Sequence, residues 1–187
     1  MPTQIRDVLV SPPGYRSREA GSFVAQLDEL NARMLDDVKT ATPNELTWQP
    51  ASGTNTIGML LAHIAIVEVF WTRIALGMTD YVTEDVLGVD MDHDGMPIAA
   101  DAGPPAHLAG KDLAYFVKLL AKGREYLKRA AQTWTDEEMD GEFSRTRRDG
   151  EVETLNRRWI CYHLVEHLGG HYGQINLLRR LYRSRRA

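Results

Sequence analysis

Four long segments carry apolar residues at intervals of three and four, the spacing that places them on one side of an α-helix. Ser17 is the predicted N-cap of the first segment. The second segment is apolar on nearly all sides, which indicates a helix at the centre of a bundle or at a subunit interface. We therefore predict an all-α fold with long helices over approximately residues 17–40, 55–76, 108–133 and 153–183.

Short signals between these segments predict how the chain turns. Thr42-Pro43-Asn44-Glu45 and Thr135-Asp136-Glu137-Glu138 both place a hydroxyl three residues before a glutamate. This is the capping-box pattern, and each copy predicts a short helical turn. Asp149-Gly150 indicates a tight turn or a hairpin before the last helix.

Residues 78–107 differ from the rest of the chain, because they include seven acidic residues and no Lys or Arg. This stretch predicts a long crossover between the second and third helices, a connection known from four-helix bundles. Asp90, Asp92, Asp94 and Asp101 approximate a calcium-binding loop, although the last ligand position is Asp instead of Glu. We interpret the stretch as an exposed acidic loop and keep calcium binding as the alternative.

Composition narrows the functional classes. The 187 residues, 43% of them hydrophobic, suit one globular domain spanning 1–187. A single cysteine, Cys161, excludes an intrachain disulfide and a zinc site with several thiolates. The longest nearly apolar run, residues 57–67, is too short for a membrane span, and the N-terminus lacks a signal-peptide core. We expect a cytoplasmic protein with no membrane partner.

Charge is uneven along the chain. Residues 1–140 carry 12 basic and 21 acidic side chains, whereas residues 141–187 carry 10 basic and 5 acidic ones. We interpret the basic end as a solvated helix terminus, with nucleic-acid contact as the alternative. The overall net charge of −4 makes a nucleic-acid partner an unfavoured hypothesis. The arginines concerned are Arg179, Arg180, Arg183, Arg185 and Arg186.

The histidines are the candidate chemistry. His163, His167 and His171 lie four residues apart and share one side of the predicted last helix, together with apolar residues. His63 lies in the apolar second helix. Buried imidazoles are costly without partners, and one divalent ion would satisfy several of them. Two histidines on one helix and a third from a facing helix give a three-histidine site with open positions, which is typical of catalytic metals. Satisfied core histidines are the alternative.

Two stretches resemble the DinB-like metalloprotein superfamily, including its thiol-transferase branch. The first combines Leu46-Thr47-Trp48-Gln49-Pro50, Gly53-Thr54-Asn55-Thr56-Ile57 and His63-Ile64-Ala65 with Glu68, and the second combines His163-Leu164-Val165-Glu166-His167 with His171-Tyr172-Gly173-Gln174-Ile175. The resemblance implies an up-down-down-up four-helix bundle that is usually a homodimer.

The resemblance also implies a divalent ion, zinc or nickel in most members, with His63, His167 and His171 as its ligands. His163 would then lie beside the ligands, with the alternative that it replaces one of them. Glu166 and Gln174 are candidates to orient imidazoles through the ring nitrogens that face away from the metal.

Three neutral imidazoles leave the charge of such an ion uncompensated, so a bound thiol or water would readily lose its proton. By resemblance we expect an S-transferase that uses a low-molecular-weight thiol, with mycothiol or bacillithiol as the usual cosubstrate. A metal-dependent hydrolase and a non-catalytic, metal-stabilised stress-response or binding bundle are the alternatives.

Other reactive residues near these motifs are interpreted as structural. Tyr172 falls off the histidine side of the helix, and Cys161 lies opposite it, so neither is expected to bind or react. Arg124 interrupts the apolar side of the third helix. It could extend to solvent, pair with Glu68 or Glu166, or bind a carboxylate of the thiol.

Overall fold

The structure is a computed structural model that describes residues 9–147 and 149–185. These residues are mostly helical, and a short 3-10 turn lies at Ala106–Leu108. In chain order the elements are α1 (Arg18–Val38), α2 (Pro43–Leu46), α3 (Ile57–Ala75), α4 (Glu84–Leu87), α5 (Leu113–Ala131), α6 (Asp136–Asp140), β1 (Glu142–Thr146), β2 (Val152–Asn156) and α7 (Arg157–Ser184).

The prediction of an all-α fold is wrong between α6 and α7, where β1 and β2 form a two-stranded antiparallel sheet. The expected start of the last helix near Glu153 is therefore too early. Within β2 the side chains alternate, with Val152 exposed and Leu155 buried, which is the period of a strand. The side chain of Asn156 then accepts a hydrogen bond from the Trp159 amide and starts α7.

Helix α3 packs against both α5 and α7, and α1 packs mainly against α7. Almost every residue of α3 is buried, as expected for a helix apolar on nearly all sides at the centre of a fold. Ser17 caps α1 as predicted, since its side chain accepts the Ala20 amide. The four long helices predicted from periodicity are confirmed, with ends one to five residues inside the expected bounds except at the end of α7.

Helix α3 is long and apolar enough to cross a membrane, the one such helix among the residues that the structure describes. The sequence analysis considered only the uninterrupted apolar run 57–67. The helix is longer, because Glu68 and Arg73 interrupt that run without making the helix polar overall. Most of α3 is covered by the protein itself, so it has the burial of a core helix.

The two capping boxes differ. Around α6 both halves are present, with Thr135 and Glu138 bonding each other's backbone amides. Before α2, Thr42 accepts the Glu45 amide, but the Glu45 carboxylate pairs with Arg179 of α7 at 2.8 Å. The interpretation of Arg179 as part of a solvated helix terminus is therefore wrong, because its side chain is buried. A buried carboxylate and a buried guanidinium satisfy each other there.

The crossover between α3 and α5 is held against both helices. Arg73 of α3 is buried and pairs with Asp80 and Asp85, and Lys122 of α5 donates to the Leu87 carbonyl at 2.8 Å. The interpretation of an exposed acidic loop is wrong at Asp94, which is almost completely buried. The structure does not gather the aspartates at 90, 92, 94 and 101 into a shared donor group within residues 9–147.

Candidate metal centre

Three histidines from two helices converge beside the core. His63 lies on α3, and His167 and His171 lie one turn apart on α7, which packs against α3. Nε2 of His167 lies 3.0 Å from Nε2 of His63 and 3.0 Å from Nε2 of His171. One ligand nitrogen from each ring lies within 4.8 Å of the other two. Because imidazole binds zinc at about 2.0–2.1 Å, these separations match ligands that share one ion.

The three rings are half-buried, although the sequence analysis placed them on a buried face. Burial is the main cause that lowers the pKa of His167 to about 2, and the neighbouring imidazoles of His171 and His63 contribute to the same shift. Burial also lowers the pKa of His171. Both rings are therefore neutral near pH 7, the state in which an imidazole nitrogen offers a lone pair to a metal.

Asp94 and Gln174 bond the ring nitrogens of His63 and His171 that do not face His167. Asp94 Oδ2 lies 2.8 Å from Nδ1 of His63, and Gln174 Oε1 lies 3.0 Å from Nδ1 of His171. In a neutral ring, an acceptor at Nδ1 places the proton there and leaves Nε2 unprotonated, as a metal ligand must be. His167 Nε2 faces both unprotonated nitrogens and carries at most one proton. At least one of the two contacts therefore has no proton between its nitrogens, and a cation bound to all three rings would replace both contacts. The donor set fits a divalent transition ion.

A cleft of about 510 Å³ opens beside His63 and Asp94. Its walls come from α3, the crossover and the β1–β2 hairpin. The volume lies within the range of small-molecule sites. The lining residues are His63, Ile66, Val67, Phe70, Tyr81, Met91, Asp92, Asp94, Met96, Arg145, Thr146, Arg147 and Asp149.

Comparison with known proteins shows the family. A sequence model of the DinB superfamily matches residues 26–175. This chain belongs to the DinB superfamily. The matched region contains all three histidines and ends before Arg179. A crystal structure of a conserved protein from Enterococcus faecalis is similar in fold, with a TM-score of 0.60 and 15% sequence identity, over 85% of this chain and 94% of that one. No curated protein matches the sequence.

In this DinB-superfamily chain, the other histidine of α7 lies outside the cluster. The His163 ring stacks on Trp159, with centroids 5.0 Å apart, and its centroid is 5.8 Å from that of His167. Glu166 lies 3.5 Å from His163 Nδ1, so among the described contacts it accompanies His163 instead of one of the three converging rings. Gln174 does contact a converging ring.

The residue that sequence analysis missed is Asp94. Its only sequence signal was the calcium-like spacing of aspartates, which pointed to solvent. In the DinB-superfamily fold described here, its buried carboxylate accepts the Met96 amide through Oδ1 at 2.9 Å and bonds His63 through Oδ2. Thirty-one residues separate Asp94 from His63, so only the folded crossover brings them together.

Three remaining residues have structural contacts. Arg124 donates to Glu68 at 2.7 Å and to Asp28 at 2.9 Å, which selects the Glu68 pairing among the predicted alternatives. The Tyr172 hydroxyl donates to Asp37 on α1. Cys161 is buried, and burial raises the pKa of its thiol to about 12.

Proposed function

We propose that this DinB-superfamily protein holds a divalent transition ion, zinc or nickel, at His63, His167 and His171, and transfers the sulfur of a low-molecular-weight thiol to an electrophile. The observation that carries the proposal is the convergence of three imidazoles, one of which, His63, lines a cleft. Three protein ligands leave an ion with open positions, the arrangement of catalytic sites.

A bound ion would supply a positive charge that lowers the pKa of an incoming thiol, because neutral imidazoles do not compensate that charge. The thiol releases its proton to water, and its sulfur then forms a bond to the electrophilic carbon. The bond from that carbon to the leaving group breaks, and the leaving group departs with its electron pair. Asp94 and Gln174 keep the rings of His63 and His171 oriented throughout.

The cleft distinguishes this proposal from the non-catalytic alternative, and the family resemblance distinguishes it from the hydrolase. A non-catalytic, metal-stabilised bundle needs no space beside its ion, whereas the cleft here reaches His63 and Asp94. A hydrolase would use the same ion to deprotonate a bound water molecule. Resemblance to the thiol-transferase branch favours the thiol, with mycothiol or bacillithiol as the cosubstrate.

The wider organisation is part of the same proposal. We infer that α1, α3, α5 and α7 form an up-down-down-up four-helix bundle with the long crossover after α3. Residues 1–187 would be one domain, working as a cytoplasmic homodimer without nucleic acid or membrane as partner. Light scattering coupled to size-exclusion chromatography tests the dimer directly.

Metal content tests the site first. We expect elemental analysis of the purified protein to find about one zinc or nickel ion per chain. His171→Ala should lose the ion. His163→Ala is the matched control on the same helix and should keep it, because His163 lies outside the cluster. Metal retained by His171→Ala and lost from His163→Ala would reverse the ligand assignment.

Turnover tests the reaction. Metal-loaded protein is assayed with mycothiol, bacillithiol and glutathione against a fluorogenic bimane electrophile, with His171→Ala as the control. Thiol-dependent fluorescence above that control supports the proposal. Metal binding without turnover of any thiol would overturn S-transfer and favour the non-catalytic bundle.

A further inference from the structure

The cleft has two chemically different ends. His63 and Asp94 bond each other at one end, whereas the guanidinium of Arg145 from the hairpin lies over Phe70, about two helical turns further along α3. We propose that the cleft binds a small molecule with an apolar, aromatic body and a carboxylate, and that Arg145 selects the carboxylate. The inference rests on the proposed function in that this molecule would be the electrophile whose reactive carbon points toward His63.

Arg145 is held in place on three sides. Its Nε and Nη2 both lie 2.8 Å from Glu153 Oε2, the residue directly opposite on β2. Its guanidinium also lies over two rings of α3, 4.9 Å from the Trp71 centroid and 5.7 Å from that of Phe70. No described residue accepts a hydrogen bond from its Nη1. A stacked, oriented guanidinium with a remaining donor is suited to a planar carboxylate.

The walls between the two ends are apolar. They combine two aromatic rings with two methionines, and methionine adapts its shape to irregular ligands. Such a lining favours an aromatic or extended aliphatic body over a sugar or a free phosphate. The apolar wall residues are Ile66, Val67, Phe70, Tyr81, Met91 and Met96.

Acidic residues in the cleft do not cancel the preference for an anion at the hairpin end. Asp94 is bonded to His63 at the opposite end. Asp149 lies 3.4 Å from Arg147, whose charge it offsets. Asp92 belongs to the crossover, which forms a different wall of the cleft from the hairpin that carries Arg145. Glu153 offsets part of the charge of Arg145 through Nε and Nη2. What remains at the hairpin end is the oriented Nη1 group of Arg145, a charged donor that faces no described acceptor.

Two probes of nearly equal shape test the selection. Isothermal titration measures the binding of 2-naphthoate and of its neutral amide, 2-naphthamide, to the full-length protein as purified. We expect 2-naphthoate to bind about tenfold more tightly, the effect of one charge-assisted hydrogen bond. Arg145→Gln should remove this difference and leave 2-naphthamide binding unchanged. Arg129→Gln, at an exposed arginine outside the cleft, should change neither.

A second variant, Glu153→Gln, tests whether Arg145 binds the carboxylate of the probe or only stabilises the hairpin. Glu153→Gln breaks the same cross-strand ion pair while keeping the guanidinium in the cleft, so it should preserve or strengthen 2-naphthoate binding. Arg145→Lys should restore part of the preference for 2-naphthoate. If Arg145→Gln and Glu153→Gln weaken both probes equally, the arginine only supports the hairpin and the inference is overturned.

The metal-site variant keeps this result separate from the proposed function. In His171→Ala, which should hold no ion, the preference for 2-naphthoate should persist. Its loss in His171→Ala together with its survival in Arg145→Gln would mean that the ion attracts the carboxylate, which overturns the role of Arg145 and not the metal site. If the unmutated protein selects the carboxylate but elemental analysis finds no metal in it, the proposed function is overturned and the role of Arg145 stands.

Discussion

Asp94 Oδ2 lies 2.8 Å from Nδ1 of His63, and the Asp94 side chain is only 3% exposed. The acidic crossover thus places the buried Asp94 carboxylate at Nδ1 of His63, the ring nitrogen that does not face His167. Such a partner fixes the tautomer of the ring and raises the basicity of its other nitrogen. The crossover is therefore part of the candidate site.

Replacing Asp94 by Asn should weaken metal binding about 10-fold to 100-fold, because the amide keeps the shape but removes the charge that supports His63. A competition titration against a zinc-binding dye measures the affinity. Asp92→Asn is the matched control, since Asp92 lines the cleft without contacting a histidine. Equal affinities for the two variants would show that Asp94 does not support the ligand.

Metal removal should lower the thermal stability of the protein. A ligand that binds only the folded state at 100 times its Kd stabilises that state by about 2.7 kcal/mol, which corresponds to roughly 5–10 °C in Tm for a chain of this size. Melting curves with added zinc and after chelation measure the difference. His171→Ala should show no zinc-dependent shift, and a shift of normal size in that variant would place the ion elsewhere.

Arg124→Met should destabilise the protein by about 3–5 kcal/mol, because it leaves the buried Glu68 carboxylate without its partner. Urea unfolding followed by circular dichroism measures the change. Lys39→Met removes the exposed ion pair with Asp36 and should have little effect. Comparable losses for the two variants would contradict the assignment of a buried structural pair.

Cys161 should resist thiol reagents in the folded protein. Burial raises the pKa of its thiol to about 12, so at pH 8 the thiol is protonated and a poor nucleophile. Modification by a disulfide reagent such as dithionitrobenzoate should be slow in buffer and fast in denaturant. Rapid modification under native conditions would show that the thiol is accessible and ionised.

Local signals in the sequence were enough for the long helices. Periodic apolar positions located α1, α3, α5 and α7, and the caps at Ser17 and Thr135 were visible as short patterns. These features depend on neighbours within one helical turn, so a linear pattern contains them. The strands of the hairpin were missed beyond their turn, because five-residue strands carry too few positions for a clear period.

Long-range pairs were beyond such patterns. Arg179 was assigned to solvent because helical spacing shows which residues share a side, and not what a neighbouring element supplies. Its partner Glu45 is 134 residues away. Arg145 and the cleft could not be predicted for the same reason, since α3, the crossover and the hairpin form that surface together.

The sequence by itself determined the long helices and, through the family resemblance, three candidate ligands. Helix formation and the four-residue spacing of His167 and His171 are properties of adjacent turns, so a linear pattern contains them. Only the tertiary structure decided that His63 meets them, that Asp94 supports His63, and that a cleft adjoins the group. Those relations depend on the packing of α3 against α7 and on the path of the crossover, which bring together atoms from residues that are far apart along the chain.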